Sequence, residues 1–422
     1  MKQLHFCVTL KEDVVVSARS ATSGGHETLT WLPGSAFLGA VAGRLYPKLG
    51  EHAWTVFHSG QVRFANALPV DYQGRIGLPM PLCFYEPKYP GEEADKTPTN
   101  RARSDWDRPG LQPKQCREGY LLEDGGVYHP PRGFRLKTAI DRGKGYRARD
   151  GQLFGYQYLE QGSRWWLHID ADDQVADALL EQVAEALTAD PVYIGRSRSA
   201  EFGRVAIEPV AAPAWPHSPH DGQLLLLYCL SDIALRDAGT GMPALQPTAA
   251  AYGLPAGRFV AGRSHLRFRS YAPFNAHRGA HDLERQVICA GSVLVFEPNA
   301  PLSQEELTTL AEKLRQGVGD YRTDGLGQIW LNPPFLAGAR FVPFQFRLGL
   351  PAGQGNAKMS EAEQQLAGWL QEEYTRRRHG AKAADLARKW ADDLLLVAGA
   401  PSVSQWQQLA EKASLANNLD SL

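Results

Sequence analysis

Cysteine, methionine and long apolar runs are scarce in this 422-residue chain. Its five cysteines are an odd number and form neither a Cys-x-x-Cys pair nor a Cys/His cluster, which argues against a disulfide framework or a zinc finger. The longest apolar run covers residues 224–230, far short of the roughly 20 residues that span a bilayer. The N-terminal apolar stretch breaks at Lys11, Glu12 and Asp13, too early for a secretory signal, so we expect a soluble, cytoplasmic protein with no membrane contact.

A strong excess of one charge is also missing, because 45 Lys and Arg balance 46 Asp and Glu. The distribution of the basic residues is uneven. Residues 101–150 carry twelve Lys and Arg against seven acidic residues, and residues 258–285 carry six Arg against Asp282 and Glu284. Such patches on a near-neutral chain indicate that a polyanion contacts part of the surface.

The order of predicted elements is similar in the two halves of the chain. Each half begins with an apolar strand and ends with a helix, a strand, a glycine-rich turn and a strand. This order is typical of a β-α-β-β-α-β, ferredoxin-like (RRM-like) module, so we predict an α+β fold with two such modules. A polar, Arg-rich insertion at about residues 86–150 is too long for a plain connection. The predicted organisation is a first module over 1–210, a Pro-rich linker over 211–222, a second module over 223–350 and a helical region over 358–422.

The strongest functional motif is the loop over residues 195–204, between two apolar strands. Glycines near both ends let the backbone turn sharply and approach a ligand closely. Main-chain N–H groups and serine hydroxyls can donate to phosphate oxygens, while arginines supply charge and planar donor pairs. RNA or phosphate binding is therefore one hypothesis, and a solvated hairpin is the other. The candidate binding residues are Gly195, Arg196, Ser197, Arg198, Ser199, Gly203 and Arg204.

The sequence of a second segment, residues 31–43, predicts a helix, and the N-terminus of that helix could bind an anion. Ser35 is a candidate N-cap and a candidate ligand contact. Small residues, among them Gly39 and Gly43, would let this helix pack very close to a sheet. A tightly packed core helix without a ligand is the alternative.

Two further segments have weaker signals for binding. Gly325 and Gly327 end a second glycine-rich turn that is less basic than the first, so a purely structural turn is the alternative there. The insertion combines basic and aromatic residues, which suits single-stranded nucleic acid, because bases stack on rings and phosphates pair with cations. Its candidate contacts are Arg132, Arg135, Arg142 and Arg147.

Signatures of catalysis and metal binding are missing from the sequence. The 12 histidines are scattered, and no His-Glu-x-x-His or Gly-x-Ser-x-Gly pattern occurs. His58 could act as the general acid or base of a ribonuclease, although a structural or surface histidine is the favoured interpretation. We predict no catalytic residue, no metal site and no cofactor.

Several phrases, in order along residues 1–335, resemble the CRISPR-associated RAMP (repeat-associated mysterious protein) superfamily. They are WLPGSAFLGAVAGRLY, FHSGQVRFANALP, YIGRSRSAEFGRV, LLLLYCLSDIALRD, QVICAGSVLVFEP and DGLGQIWLNP. Two modules in one chain, with GRSRSA and LSDIALRD, are most similar to the large Cas-five-like subunit of type III-D effector complexes, the Csx-ten family.

This resemblance implies a non-catalytic subunit that caps the 5′ handle of crRNA and contacts the large signalling subunit and a backbone RAMP subunit. It implies that the 195–204 loop faces the handle, that the Arg-rich insertion is a thumb over the guide, and that Gly325 and Gly327 belong to the equivalent second loop. Two alternatives stay open. One is a metal-independent endoribonuclease that processes pre-crRNA, and the other is a protein-only scaffold whose loops pack against partner subunits.

Overall fold

A computed structural model describes residues 1–18, 25–89, 97–141, 147–196, 198, 201–216, 222–275 and 277–349, with residues 365, 368–369, 372–373 and 376. The chain divides into two compact units, Met1–Leu350 and Pro351–Leu422. The predicted helical region over 358–422 lies outside the described residues, apart from the six positions just given, which are helical.

The helices of the described residues are α1 (Gly34–Leu45), α2 (His52–Phe57), α3 (Asp177–Thr188) and α4 (Gln304–Arg315). The strands are, in chain order, β1 (Lys2–Leu10), β2 (Gly25–His26), β3 (Val62–Phe64), β4 (Leu68–Val70), β5 (Leu78–Pro79), β6 (Phe84–Pro87), β7 (Thr99–Asn100), β8 (Pro113–Gln115), β9 (Tyr120–Leu121), β10 (Val127–Tyr128), β11 (Arg132–Asp141), β12 (Arg147–Leu159), β13 (Arg164–Ala171), β14 (Val192–Tyr193), β15 (Arg204–Pro209), β16 (Leu225–Cys229), β17 (Gly257–Phe259), β18 (Phe268–Tyr271), β19 (Phe274–Asn275), β20 (Ala280–His281), β21 (Arg285–Ile288), β22 (Val293–Pro298) and β23 (Ile329–Leu331).

The first sheet is built around β1, in the order β14-β15-β1-β13-β3, with β4 also paired to β13. All neighbouring strands are antiparallel, and the register places Phe6 opposite Leu167 on β13 and Val8 opposite Ile207 on β15. Along the chain its main elements follow one another as β1, α1, β3, β13, α3 and β15. Both edges of β1 are therefore paired with strands that come more than 150 residues later in the chain.

The second sheet has the order β17-β22-β16-β23, and α4 connects β22 to β23. When the four main strands of each sheet are numbered by their order in the chain, their spatial order is the same in both sheets. One element differs from the prediction, because the connection from β16 to β17, all of it described, has only a short 3-10 helix, Ala250–Tyr252, where α1 stands in the first half. This connection contains a turn in which the Asp237 carboxylate accepts from the N–H groups of Gly239 and Thr240, and such local bonds compete with a helix.

Side-chain alternation along the strands produces layers in the order helices, sheet, sheet, helix. Phe6 on β1 faces the core shared with α1 and α3, whereas Cys7 and Trp166 face the second sheet. On β16, Tyr228 faces the same inter-sheet core, and Leu227 faces α4. The two sheets therefore pack against each other through one continuous apolar core.

The Pro-rich segment predicted as a linker contributes to this inter-sheet core. The Trp215 ring lies 4.8 Å from that of Trp330 in an edge-to-face arrangement and 6.0 Å from that of Trp166. Phe346 lies within 4.9 Å of the same indole. At least this part of the segment is fixed by packing, since edge-to-face aromatic pairs add to the energy of burial.

Two helix starts show different outcomes. The sequence predicts a capping box at the start of α4, and the structure confirms it with reciprocal bonds between Ser303 and Glu306. The prediction that Ser35 caps α1 is wrong, because the N-cap is Pro33. The N–H of Gly34 instead donates to the side chain of Asn66, 2.9 Å away on a neighbouring segment, so the cap comes from tertiary structure.

The buried face of α1 also differs from the prediction. Gly39 and Gly43 are exposed, and a Cβ atom at either would meet nothing within 4 Å. Phe37 and Val41 form the buried face, and the close approach to the sheet occurs at Gly34 alone, where a Cβ atom would lie 1.8 Å from the Phe64 carbonyl oxygen.

The predicted insertion has two structurally distinct parts. Strands β6 to β10 form small sheets whose apolar residues, such as Phe84 and Tyr120, belong to the inter-sheet core. Strands β11 and β12 then pair as a long antiparallel hairpin, and β12 continues to Leu159, beyond the predicted end of the insertion. Only this second part has the form of an arm.

Candidate nucleic-acid interface

The 195–204 loop connects β14 to β15 and is bonded to the segment that follows β1. Gly195 and Gly203 have φ angles of 80° and 99°, in the left-handed region that glycine adopts without steric cost. A Cβ atom at Gly195 would lie 2.5 Å from the Val15 carbonyl oxygen. The N–H of Arg196 donates to that oxygen (2.8 Å), and the N–H of Gly203 donates to the Asp13 carbonyl (2.9 Å). These two N–H groups are engaged within the protein and cannot donate to a phosphate. At Arg196 the predicted phosphate contact must therefore come from the guanidinium group.

The arginines of this loop have different environments. Arg204 pairs with Asp190 at 3.0 Å. Arg196 and Arg198 are exposed, and neither has an ion-pair partner among the described residues. Ser197 and Ser199 lie outside the described residues. The loop therefore presents two guanidinium groups whose charge no neighbouring carboxylate in the described part of the chain neutralises.

One face of the β11–β12 hairpin packs on the loop. Arg135 of β11 donates to Asp13 (3.2 Å) and to Glu201 of the loop (3.1 Å). Its guanidinium also lies 5.5 Å from the ring centroids of Tyr158 and the buried Phe202. Arg135, predicted as an RNA contact, thus joins the hairpin to the loop.

The other face of the hairpin is exposed. Arg132, Phe134 and Leu136 alternate with Arg135 along β11, and 61% of the Phe134 side chain is accessible to solvent. An exposed aromatic ring beside an arginine can stack on a base while the cation pairs with a phosphate. Of the other predicted contacts, Arg142 lies outside the described residues, and only the backbone of Arg147 is described.

A second pair of strands combines the same residue types. Strand β18 pairs with β21, Phe268–Tyr271 against Arg285–Ile288, and β19 pairs with β20. We refer to these four strands as the second arm. Its exposed residues include Phe268, Phe274 and Arg267. This arm corresponds to the basic patch over residues 258–285.

The second glycine-rich turn lies against the start of α1. A Cβ atom at Gly325 would be 2.7 Å from the Phe64 carbonyl oxygen, and one at Gly327 would be 2.4 Å from the Val318 carbonyl oxygen. The carbonyl oxygen of Asp324 in turn faces Gly34. This turn therefore joins the two halves, while Ser35, one residue further along, is exposed.

Two arginines reinforce this junction. Arg285, only 8% exposed, pairs with Asp324 at 2.8 Å and stacks on the Tyr321 ring at 3.7 Å. Arg269 lies 5.0 Å from the Trp31 ring centroid and donates to Asp232 (2.7 Å). Both guanidinium groups are engaged inside the protein, so the basic count over 258–285 overstates the free charge of that patch.

The candidates from the sequence do not include a polar cluster on the first sheet, whose buried members are His5, His168 and Asp170. Cross-strand pairing places Gln3 and His5 opposite Asp170 and His168. The side chain of Gln3 donates to Asp170 (2.8 Å), and the Gln328 amide nitrogen lies 3.0 Å from His168 Nε2. We refer to these five residues as the histidine cluster. His168 and Asp170 are two residues apart on β13 and so share a face of that strand, but only the register across 163 residues brings His5 to them.

Burial and charge shift the pKa values of this cluster. Burial, and to a smaller extent the neighbouring His168, lower the pKa of His5 to about 4, although Asp170 opposes the shift. Burial would raise the pKa of Asp170, but His168, the hydrogen bond from Gln3 and the charge of Arg63 outweigh it and lower that pKa. Asp170 is thus held ionised and His5 neutral at pH 7.

Within the described residues, no group of three or more His, Cys, Asp or Glu side chains is arranged to hold a metal ion. His58 is exposed, and its Nε2 lies 3.1 Å from the Tyr46 hydroxyl. No helix in the described part of the chain combines the length and apolarity needed to cross a bilayer.

No family model and no curated protein matches the chain. Among solved structures it is similar to a chain of the type III-B Cmr-beta complex bound to cognate target RNA and AMPPnP, with 12% sequence identity and a TM-score of 0.41 over 69% of this chain and 86% of that chain. A chain of the Cmr-beta complex bound to cognate target RNA gives 11% identity and a TM-score of 0.41 over 73% of this chain and 89% of that chain. A chain of a type IV-B CRISPR complex gives 13% identity and a TM-score of 0.29 over 52% and 95%. TM-scores of this size describe a partial similarity and do not establish a common fold.

Proposed function

We propose that this chain is a non-catalytic RNA-binding subunit of a type III CRISPR effector complex, of the large Cas-five-like kind, built from two ferredoxin-like modules. The 195–204 loop and the β11–β12 hairpin bind the 5′ handle of crRNA. Other surfaces contact the large signalling subunit and a backbone RAMP subunit. The ordered phrases of the sequence support the family, and one structural observation supports the RNA site: Arg196 and Arg198 are exposed and unpaired among the described residues, beside a hairpin that presents Arg132 and Phe134.

The contrast with other surface arginines makes this observation informative. Arg204 pairs with Asp190, Arg258 with Glu297, and Arg340 with Asp107. An exposed ion pair already satisfies the guanidinium, whereas an unpaired one offers its full set of planar donors to a phosphate. Arg196 and Arg198 therefore place two positive charges close together at the loop of a chain whose net charge is −1.

The contacts suggest how the site works. The glycines let the loop lie close to the segment after β1, and the main-chain bonds hold it there. Arg196 and Arg198 then neutralise phosphates, and Phe134 offers a ring on which a splayed base can stack. Arg135 keeps the hairpin at a fixed position above the loop through its bonds to Asp13 and Glu201.

The test replaces both unpaired arginines, as Arg196→Ala/Arg198→Ala, and measures binding of a single-stranded handle RNA over a range of salt. Each phosphate neutralised contributes a slope of about 0.7 in log affinity against log salt, so the double variant should lower the slope by about 1.4 and the affinity by about 25-fold at 0.1 M salt. The matched control is Arg258→Ala/Arg340→Ala, which removes the same charge from ion-paired positions. The control should bind like wild type.

Equal losses in the two double variants would show that only overall charge matters and would contradict the proposed site. Sequencing of the RNA that co-purifies from cells with a CRISPR array and its processing enzyme separates the alternatives. RNAs that share one repeat-derived 5′ end support handle capture. A new 5′ end made without the processing enzyme, and lost on His58→Ala, supports the endoribonuclease instead. Binding that survives Arg196→Ala/Arg198→Ala while assembly with partner subunits fails supports the scaffold.

A further inference from the structure

A half-open cavity of about 180 Å³ lies at the edge of the inter-sheet core. Its polar lining comes from four members of the histidine cluster, Gln3, His168, Asp170 and Gln328, and from Thr308 and Glu312 of α4. Its aromatic lining comes from Trp215 and Trp330. Arg315, an exposed residue near the end of α4, lines it as well, and its guanidinium lies 5.7 Å from the Trp215 ring centroid. The cavity uses no residue of the 195–204 loop or of the hairpin.

His168 and Asp170 are the buried part of this polar lining, whereas Gln3, Thr308 and Glu312 are exposed. His168 and Asp170 are 7% and 3% exposed. Asp170 accepts from Gln3, and Gln328 is held by the bond from its own N–H to Ser231 Oγ at 3.0 Å. His168 Nδ1 has no hydrogen-bond partner among the described residues. This atom is fully enclosed by protein, so a ligand in the cavity would bond to Asp170 and Gln328 and not to Nδ1.

The size and chemistry of the lining select the ligand. The volume is below that of pockets for drug-sized molecules and suits one heteroaromatic ring system. Indole walls beside amide, imidazole and carboxylate groups are the means by which proteins stack an unpaired base and bond to its edge. The ionised Asp170 repels an anion from the interior and accepts hydrogen bonds, so the group that enters must be a donor. Arg315 offers the matching site for a phosphate nearer the solvent.

We propose that this cavity binds the base of a nucleotide, that the base carries an exocyclic amino group, and that the 5′-phosphate of the same nucleotide pairs with Arg315. Adenine, cytosine and guanine carry this group and uracil does not. The base belongs either to a free nucleotide or to one residue of an RNA. The inference does not depend on the role of the 195–204 loop, and Arg196→Ala/Arg198→Ala should leave this binding unchanged.

Calorimetric titration of the full chain with AMP, adenosine and UMP tests the assignment. AMP should bind saturably and at least tenfold more tightly than UMP, because uracil offers only its N3–H, which two carbonyl oxygens flank, and the Asp170 carboxylate repels those oxygens. Arg315→Ala should weaken AMP about tenfold and leave adenosine unchanged. Lys313→Ala, a charge-matched change on the same helix whose residue does not line the cavity, should change neither.

Three results would overturn the proposal. Absence of saturable AMP binding at millimolar concentration would mean that the cavity holds solvent only. Equal affinity for AMP and UMP would exclude recognition of the amino group. Equal effects of Arg315→Ala on AMP and adenosine would exclude a phosphate contact. Because Arg315 is exposed, this variant is expected to fold, which keeps the test decisive.

Competition identifies the source of the base. If a short single-stranded RNA containing adenine displaces bound AMP, the cavity receives an RNA residue. If AMP stays bound while the same RNA binds to the chain, the ligand is a free nucleotide. Both results support a base-binding cavity.

Discussion

Replacing Gly34 by alanine should disturb the junction between the two halves more than any other single methyl group on α1. The added Cβ would lie 1.8 Å from the Phe64 carbonyl oxygen and 2.9 Å from that of Asp324. Ordinary contacts between carbon and oxygen begin near about 3.3 Å, so the helix start must move by roughly 1.5 Å. That movement breaks the bond from the Gly34 N–H to Asn66 and loosens the second glycine-rich turn.

The cost follows from these contacts. Overpacking of this kind costs about 1–3 kcal/mol. The lost hydrogen bond adds about 0.5–1.5 kcal/mol. The higher helix propensity of alanine returns about 0.5–1 kcal/mol. The expected net destabilisation is therefore about 1–3.5 kcal/mol, a large part of the stability of a typical domain.

The helix supplies its own controls for this measurement. Gly39→Ala and Gly43→Ala place the same methyl group where nothing lies within 4 Å, so both should be neutral or stabilising by up to about 1 kcal/mol. Thermal unfolding followed by tryptophan fluorescence compares the three variants with wild type. A Gly34→Ala protein as stable as the Gly39→Ala protein would refute the close approach and the junction drawn from it.

Two further predictions concern the junction and the histidine cluster. Arg285→Met should destabilise the fold by about 3 kcal/mol, because it leaves Asp324 without its partner, and Arg285→Met/Asp324→Asn should recover part of this in urea unfolding. Because burial lowers the pKa of His5 to about 4, the unfolded chain binds more protons than the folded one between pH 6.5 and 4. Stability should therefore fall as the pH drops through this window, by about 2 kcal/mol after allowance for solvent screening. His5→Gln should flatten that dependence, and an unchanged pH profile in this variant would contradict the assignment to His5.

Local signals in the sequence predicted local structure well. The capping box of α4 needs only Ser303 and Glu306, three residues apart, and both bonds are present. The apolar residues over 175–188 recur at helical spacing, which predicts a helix there, and α3 spans Asp177–Thr188. In both elements the information lies within a few turns of one helix, so neighbouring segments do not alter the outcome.

Features that depend on distant segments could not be predicted in this way. Three glycines of α1 look equivalent in sequence, yet only Gly34 approaches a carbonyl group, and that carbonyl belongs to Phe64. The N-cap role given to Ser35 failed for the same reason, because Asn66 supplies the acceptor.

The candidate site shows the same limit. The residue types of the 195–204 loop indicated an anion site. They could not show that Arg135 of the hairpin bonds to Glu201 of the loop and to Asp13, because these residues are close only in the folded chain. Counting charges along residues 258–285 could not show that Arg285 and Arg269 are engaged at the junction. Which arginines remain free is a property of the tertiary structure.

The central place of β1 has a consequence for synthesis of the protein. Both partners of this strand, β13 and β15, lie more than 150 residues later in the chain. At about 5–20 residues per second, the ribosome needs roughly 10–40 s to deliver them after β1. During that time the apolar residues of β1, such as Phe6 and Val8, have no native sheet to join. Until residue 209 has left the exit tunnel, the nascent chain stays soluble only if it aggregates slowly or if a chaperone binds it. Truncation before β15 should therefore yield insoluble protein.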